Sequence, residues 1–341
     1  MSSLVCGLDV HKSSVFATVM NYGGEVIERR KLADKDELVA FLGQYPIDKV
    51  AMESSTPIVP VYRALKGRGY KVLVSHPKKT RLIAESRIKT DRVDSWALTE
   101  LARLDALPLS YMPPDNIAAL REKVRRRAFL VRMRSRLKVK IRADLTINGV
   151  TPPSEYGLFT RKGTAWLHSL QSDPVESYLP VLSTLTLQIE KLSKELRSMA
   201  PEDEDVRLLM TIPGLGYYSA LLVKSEIGDI SRFPDGEKLC SYAGLVPSVS
   251  SSGGHTRRGS ITKEGSRWLR WIMVESVRIH LKYDTGITRA YDAIAERKGN
   301  GIAKVAAARR LLMCCYSVLK NRQPYYDPAG HYRPSRSGRG E

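Results

Sequence analysis

The 341 residues carry 55 lysines and arginines against 36 acidic residues, a formal net charge of +19, and 43% of them are hydrophobic. That apolar content supplies packed cores and excludes global disorder. The length suggests two domains, or one domain with a long arm. No apolar run approaches the roughly 20 residues that span a bilayer. The start, MSSLVCGLDVHKSS, has neither a basic lead nor an apolar signal core. Cys6, Cys240, Cys314 and Cys315 show no CxxC spacing, so no structural zinc site is expected and a reduced, cytoplasmic compartment fits. The charge surplus calls for a polyanion, with nucleic acid ahead of a membrane surface.

Residues 1–110 alternate strand and helix signals. Leu4–Leu8 is a short apolar run ending at Asp9, Val15–Met20 is a second, and Asn21-Tyr22-Gly23-Gly24 turns into a third over Glu25–Leu32. Lys35–Tyr45 reads as a helix with Leu38, Phe41 and Leu42 on one face, and Lys49–Met52 as a buried strand closed by Glu53. Val59–Lys66 is a helix, Lys71–Ser75 a strand and Asp91–Leu104 a helix. This β-β-β-α-β-α-β-α order is that of the α/β ribonuclease H fold.

Residues 111–200 read as a basic helical arm. Between Asp115 and Asp144 there are eleven lysines and arginines against three acids, with no proline or glycine from 115 to 148, so one long helix is expected until Asn148-Gly149 and Pro152-Pro153 stop it. Residues 154–180 read as a poorly patterned connection. Leu182–Met199 places Leu185, Ile189, Leu192 and Leu196 at three- and four-residue spacing, a second helix able to pair with the first as a coiled coil. Residues 201–322 read as a mainly helical domain. It holds a helix–hairpin–helix signal around Ile212-Pro213-Gly214-Leu215-Gly216, a short helix over Lys238–Gly244, a polar loop over Ser248–Gly259, and amphipathic helices over Arg267–Tyr283 and Lys304–Lys320. Residues 323–341 read as a mobile tail.

Asp9 closes the first strand and Glu53 the fourth, and in this fold those strands are parallel neighbours. Asp91 and Asp94 stand three apart at a helix start, on one face. A lone acid at a strand end is ordinarily a solvated loop residue, and an i,i+3 aspartate pair ordinarily serves the helix terminus. Four acids each at the required element end point instead to a carboxylate cluster, unfavourable without divalent cations. Magnesium suits such oxygen ligands, with manganese a workable substitute, and paired ions assist phosphoryl transfer.

Gly7-Leu8-Asp9-Val10-His11-Lys12, Met52-Glu53-Ser54, Ser75-His76-Pro77 and Lys89-Thr90-Asp91-Arg92-Val93-Asp94 resemble the motifs of DEDD transposases of insertion-sequence family one-ten, with its eleven-eleven branch. That family is related to pilin-gene DNA invertases and comprises bridge-RNA-guided recombinases. The resemblance implies a RuvC-like domain in which Asp9, Glu53, Asp91 and Asp94 are catalytic metal ligands. One departure is Ser54-Ser55-Thr56-Pro57, where the family usually has a glycine after the glutamate. Lys12 and Lys89 flank the acids as phosphate contacts or as simple charge balance, and His11 is expected to be a packed or surface residue rather than a ligand.

Gly244-Leu245-Val246-Pro247, Ser252-Gly253 and Arg258–Gly265 resemble the C-terminal transposase domain of the same family. The match places Ser252 on its nucleophilic serine, which links covalently to DNA during strand exchange; Ser250 and Ser251 are rivals for that role. A serine hydroxyl needs help to act as a nucleophile, and Arg257, Arg258, Lys263 and Arg267 could supply a positive field. By composition alone this segment is a flexible connection.

Three further surfaces point to nucleic acid. Gly214 and Gly216 sit where helix-hairpin-helix modules hold a phosphate on backbone amides, although an ordinary helical hairpin reads the same. The basic helix, with Arg125, Arg126 and Arg134, reads as a phosphate track, although a solvated face explains part of its charge. Trp268 and Trp271 could stack on bases but at helical spacing are more often core. The expected protein is a magnesium-dependent transposase acting on double-stranded DNA at element ends and target. The resemblance adds a structured guide RNA; exchange of two duplexes adds a homo-oligomer of two to four chains built through the arm. The rivals are a metal-dependent junction nuclease that uses water and a non-catalytic nucleic-acid-binding protein.

Overall fold

The computed structural model describes residues 3–83, 90–252 and 255–327, and for 250–252 and 255–258 the backbone alone. The chain divides into two compact units, Met1–Met112 and Pro113–Glu341.

The first unit is built on a five-stranded sheet of β1 (Leu4–Val10), β2 (Val15–Asn21), β3 (Val26–Leu32), β4 (Ile47–Glu53) and β5 (Lys71–Ser75), in the order β3-β2-β1-β4-β5. The first three strands form an antiparallel meander, and β4 and β5 add in parallel beside β1. This is the ribonuclease-H-like arrangement expected from the element order. Helices α1 (Lys35–Leu42) and α2 (Ile58–Gly67) place Leu38, Phe41, Leu42, Ile58, Val61 and Leu65 in a core with Leu8, Val50 and Met52. A short helix, α3 (Pro77–Ile83), follows β5, and α4 (Asp91–Arg103) packs over β1, β2 and β4.

The seating of α4 is unusually close. A β-carbon at Gly7 on β1 would lie 2.3 Å from both the Ser95 carbonyl and the Thr99 hydroxyl, so only glycine lets the helix backbone rest on the strand. Three buried hydroxyls fix it there. Thr18 and Ser95 share a 2.8 Å hydrogen bond, and Thr99 donates to the Ser95 carbonyl at 2.7 Å and the Thr18 carbonyl at 3.2 Å.

The second unit is mainly helical. Its long helix α5 (Asp115–Ile147) packs along α7 (Asp173–Met199), with α6 (Arg161–Ser169) beside α7. The predicted connection over 154–180 thus holds one helix and the opening turns of another. Two separate cores flank this pair. Leu120, Val124 and Ala128 join Leu196 and the C-terminal helices, whereas Ile141 and Leu145 pack with Leu158, Leu167, Val175, Leu179 and Leu182. Between Ala128 and Ile141 helix α5 buries no residue, and Phe129, Met133 and Val139 stay exposed. The apolar seam of α5 is therefore interrupted where a coiled coil would continue it.

Beyond the arm come α8 (Glu204–Met210), α9 (Tyr217–Ile227) and α10 (Gly236–Tyr242), a hairpin of β6 (Pro247–Ser252) and β7 (His255–Ile261), then α11 (Arg267–His280), α12 (Gly286–Lys298) and α13 (Asn300–Asn321). These helices share one core with the N-terminal half of α5. The predicted polar loop over Ser248–Gly259 is instead a two-stranded ribbon, because its residues pair across the turn from Pro247 opposite Ile261 to Ser252 opposite His255. The start of the predicted tail is also held. The Tyr325 amide donates to the Thr211 hydroxyl at 2.8 Å, and Asp327 accepts from the Gly286 amide at 3.0 Å; residues 328–341 lie outside the described ones.

Candidate active site and nucleic-acid surfaces

In the parallel pair β1–β4 the last matched residues are Leu8 and Met52, so Asp9 and Glu53 follow side by side at the same sheet end. Thr90 caps α4 by accepting from the Val93 amide, which sets Asp91 and Asp94 in the first turn. All four carboxylates line one cavity of about 810 Å³, together with His11, Lys12, Thr80 and Arg81. Lys89 lies outside the described residues.

The cavity is electrostatically strained. Burial raises the Asp9 carboxyl above the ordinary carboxylate range, Asp91 and Asp94 push it the same way, and His11 opposes them. His11 is the residue that sequence reasoning missed. Its Nε2 lies 3.2 Å from Asp9 Oδ2 and 3.3 Å from Asp91 Oδ1, so the ring bridges two acids from different elements. A histidine immediately beyond a strand end has no periodic signal to place it. The site accepts a divalent cation on three counts. Asp9, His11 and Asp91 present ligand atoms all within 4.8 Å of one another. The donors are carboxylate oxygens, which suit magnesium or manganese, with one imidazole, a donor that suits softer divalent metals. The buried Thr80 hydroxyl, on the cavity wall, has no hydrogen-bond partner among the described residues.

In the second unit the base of the hairpin is clasped by backbone bonds, Thr262 N–H to the Val246 carbonyl at 2.9 Å, Lys263 N–H to the Gly244 carbonyl at 3.2 Å, and Ser266 N–H to the Tyr242 carbonyl at 2.7 Å. Lys263 takes a left-handed backbone, φ 55°, which disfavours a side-chain-bearing residue by about 1 kcal/mol and is held by that clasp. Ser252 ends β6, with Ser250 and Ser251 beside it on the same strand and Arg257 and Arg258 on β7; Gly253 lies outside the described residues.

Several expected nucleic-acid contacts have other work. Gly214 faces helix α11 rather than solvent, since a β-carbon there would sit 2.8 Å from the Ser276 carbonyl and the His280 amide. Its positive φ of 87° serves the turn, while Gly216 opens α9 with free space around it. Arg125 is spent on structure. It donates from Nε and Nη2 to buried Glu226 at 2.8 and 2.9 Å, where Ser266 also donates at 2.8 Å, and Arg121 donates to the adjacent Ser225 carbonyl at 2.9 Å. A matched guanidinium has little left for a phosphate. The sequence signal for this was Glu226, the lone acid of α9, three residues beyond the apolar run Ala220–Val223. Among the described residues Arg126 pairs with exposed Glu122 at 3.5 Å, a weak and easily exchanged contact. Arg134 lines a groove between α5 and α7. The tryptophans are packed, Trp268 buried and edge-on to Trp271 at 6.0 Å, with the Arg132 guanidinium 4.4 Å and 5.3 Å from their ring centres.

A meander extended in parallel, with carboxylates from two adjacent strand ends and a helix start, defines a ribonuclease-H-like domain of the DEDD type. Residues 6–148 match the family model for the DEDD transposase of IS110, and residues 206–292 match that of the transposase IS116/IS110/IS902 family. Together these two models span more than half of the chain, which belongs to that transposase family. The chain is similar to the transposase for insertion sequence element IS1328 of Yersinia enterocolitica, 27% identical over 92% of this chain and 95% of the relative. It is equally similar to the transposase for IS1111A of Coxiella burnetii, 27% identical over 94% and 91%. Among solved structures, T. thermophilus RuvC in complex with Holliday junction substrate aligns with 32% of this chain and 99% of its own at 10% identity, with a TM-score of 0.27. That score is too low to add to what the strand order defines. Among the described residues no helix is long and apolar enough to cross a membrane.

Proposed function

We propose that this transposase cuts and rejoins double-stranded DNA at the ends of an insertion element, using a divalent-cation site at Asp9, Glu53, Asp91 and Asp94 and a serine nucleophile at Ser252. The observation that carries the reading is the convergence of those four carboxylates on one cavity beside Lys12 and Arg81. Magnesium or manganese bound there would polarise a phosphate and stabilise a departing oxygen. The chain's own residues do the rest. Lys12 and Arg81 attract and orient the backbone phosphate, and His11 holds Asp9 and Asp91 in register. The Ser252 oxygen bonds to phosphorus as the bond from phosphorus to the deoxyribose oxygen breaks, and the serine proton passes to that departing oxygen. The phosphoserine ester conserves the bond energy, so the reverse transfer joins a new end without a further energy source. A structured RNA that selects the sites, assembly of two to four chains through the arm, and a cytoplasmic, nucleoid-associated location complete the proposal. The charge of +19 supports the polyanion partners.

The test is a nicked element-end duplex offered to full-length protein with magnesium, then denatured and resolved by mass. A covalent protein–DNA adduct is expected, absent in Ser252→Ala and retained in Ser250→Ala and Ser251→Ala. Cleavage with no adduct would establish water as the nucleophile and make the protein a hydrolytic junction nuclease.

A further inference from the structure

Along helix α5, Arg134, Lys138 and Arg142 recur at four-residue intervals and so share one face. Like charges at this spacing repel, and here the middle one is partly buried. Burial lowers the Lys138 ammonium from its ordinary value, and Arg134 and Arg142 add to that shift. Among the described residues none of the three has a carboxylate within 4.0 Å, whereas Arg121, Lys123, Arg125, Arg126 and Lys140 of the same helix each have one. Their neighbour is aromatic instead: the Lys138 ammonium and the Arg142 guanidinium lie 4.8 and 5.2 Å from the Phe159 ring centre. Such contacts hold cations in place without neutralising them.

Arg134 and Lys138 open onto a groove of about 450 Å³ between α5 and α7. It is lined by Leu179 and Leu182 and by the hydroxyls of Thr164 and Ser183, with Glu190 its one acid among the described residues; the Thr186 hydroxyl donates to the Leu182 carbonyl at 2.8 Å. Two unmatched cations, two hydroxyls and an aromatic support form a complementary recess for a singly charged, oxygen-rich group. We infer that this groove holds a backbone phosphate of a nucleic-acid strand, with Arg134 and Lys138 as its charge partners and Thr164 and Ser183 as its hydroxyl donors. The inference rests on the nucleic-acid partner of the proposed function, not on its catalytic site.

The experiment measures binding of a labelled duplex of arbitrary sequence to full-length protein as salt is raised. Each lost phosphate contact lowers the slope of log affinity against log salt by about 0.9. Arg134→Gln/Lys138→Gln should therefore flatten the slope by about 1. Arg68→Gln/Lys298→Gln, an equal charge change at exposed positions elsewhere, should leave it unchanged. Ser183→Asp, which sets a carboxylate in the groove without touching either cation, should reproduce the flattening, and Arg134→Lys/Lys138→Arg should restore it. Equal slopes for the groove and control variants would overturn the proposal. So would saturable binding of inorganic phosphate that depends on Arg134 and Lys138 while duplex affinity does not, because the occupant would then be a small free anion. The covalent-adduct assay reads the catalytic site and the salt slope of arbitrary-sequence binding reads the groove, so failure of the catalytic reading and failure of the groove are distinguished.

Discussion

Two acid-containing clusters in this molecule are built on opposite principles. Around Glu226, one buried carboxylate from α9 meets Arg125 from α5 and the Ser266 hydroxyl at the start of α11, so the charge is neutralised and three helices are tied together. At the end of the sheet, four carboxylates meet with one bridging imidazole and a lysine and an arginine on the cavity wall. Burial and like charge hold Asp9 above its ordinary range there. An acid whose partners are already in place is structural. A group of acids whose repulsion is left standing is arranged for something that arrives later.

Three measurements would break or sharpen that contrast. Replacing Asp9 by Asn should reduce strand cleavage by roughly 10³-fold or more, yet leave the urea midpoint unchanged or higher, because a repulsive charge is removed. A fall in stability with activity retained would mean the cluster is structural after all. Glu226→Gln should behave in the opposite way, destabilising the second unit by about 3–5 kcal/mol because Arg125 is left facing a buried site without its counter-charge; chemical denaturation reads this directly.

The smallest effect concerns His280. Burial lowers its imidazole from the ordinary value; Nδ1–H donates to the Pro213 carbonyl at 2.8 Å and Nε2 accepts from the Thr285 hydroxyl at 2.8 Å. The folded protein therefore binds this proton less tightly than the unfolded chain, in which histidine titrates near about 6.5. Its contribution is complete above that pH and is lost as the pH falls below it. Urea midpoints of wild type and His280→Gln compared from neutral to mildly acidic pH should converge at the acid end; a constant difference would mean the ring is not held neutral.

How far this was legible in the sequence depended on whether a signal was local. The acids were readable because each closes an apolar run or opens a helix, and β5 has its expected bounds, Lys71–Ser75, because its ends are sharp. Helix α7 begins nine residues before its regular apolar pattern, since Pro174 and Pro180 disguise its first turns. The hairpin was hidden by four serines and three glycines between Ser248 and Gly259, whose composition says loop while the cross-strand pairing says ribbon. Arg125 could not be separated from its neighbours on α5 because its partner is 101 residues away. The fate of a charge on a long helix is decided by what packs against it, and local sequence does not hold that information.

Gly7 carries a last consequence. Where α4 crosses β1 the helix backbone and the Thr99 hydroxyl rest directly on Gly7, with no strand side chain between them. The spacing of the main chains that carry the strand-borne and helix-borne acids is therefore set by that contact. Core substitutions in other parts of the unit reach that main-chain spacing only by moving a whole element, and the acids' own rotamers then set where their carboxylates lie within it. The span available to an incoming ion is in this sense machined into the main chain, and the surrounding surface is left free to vary with the DNA it meets.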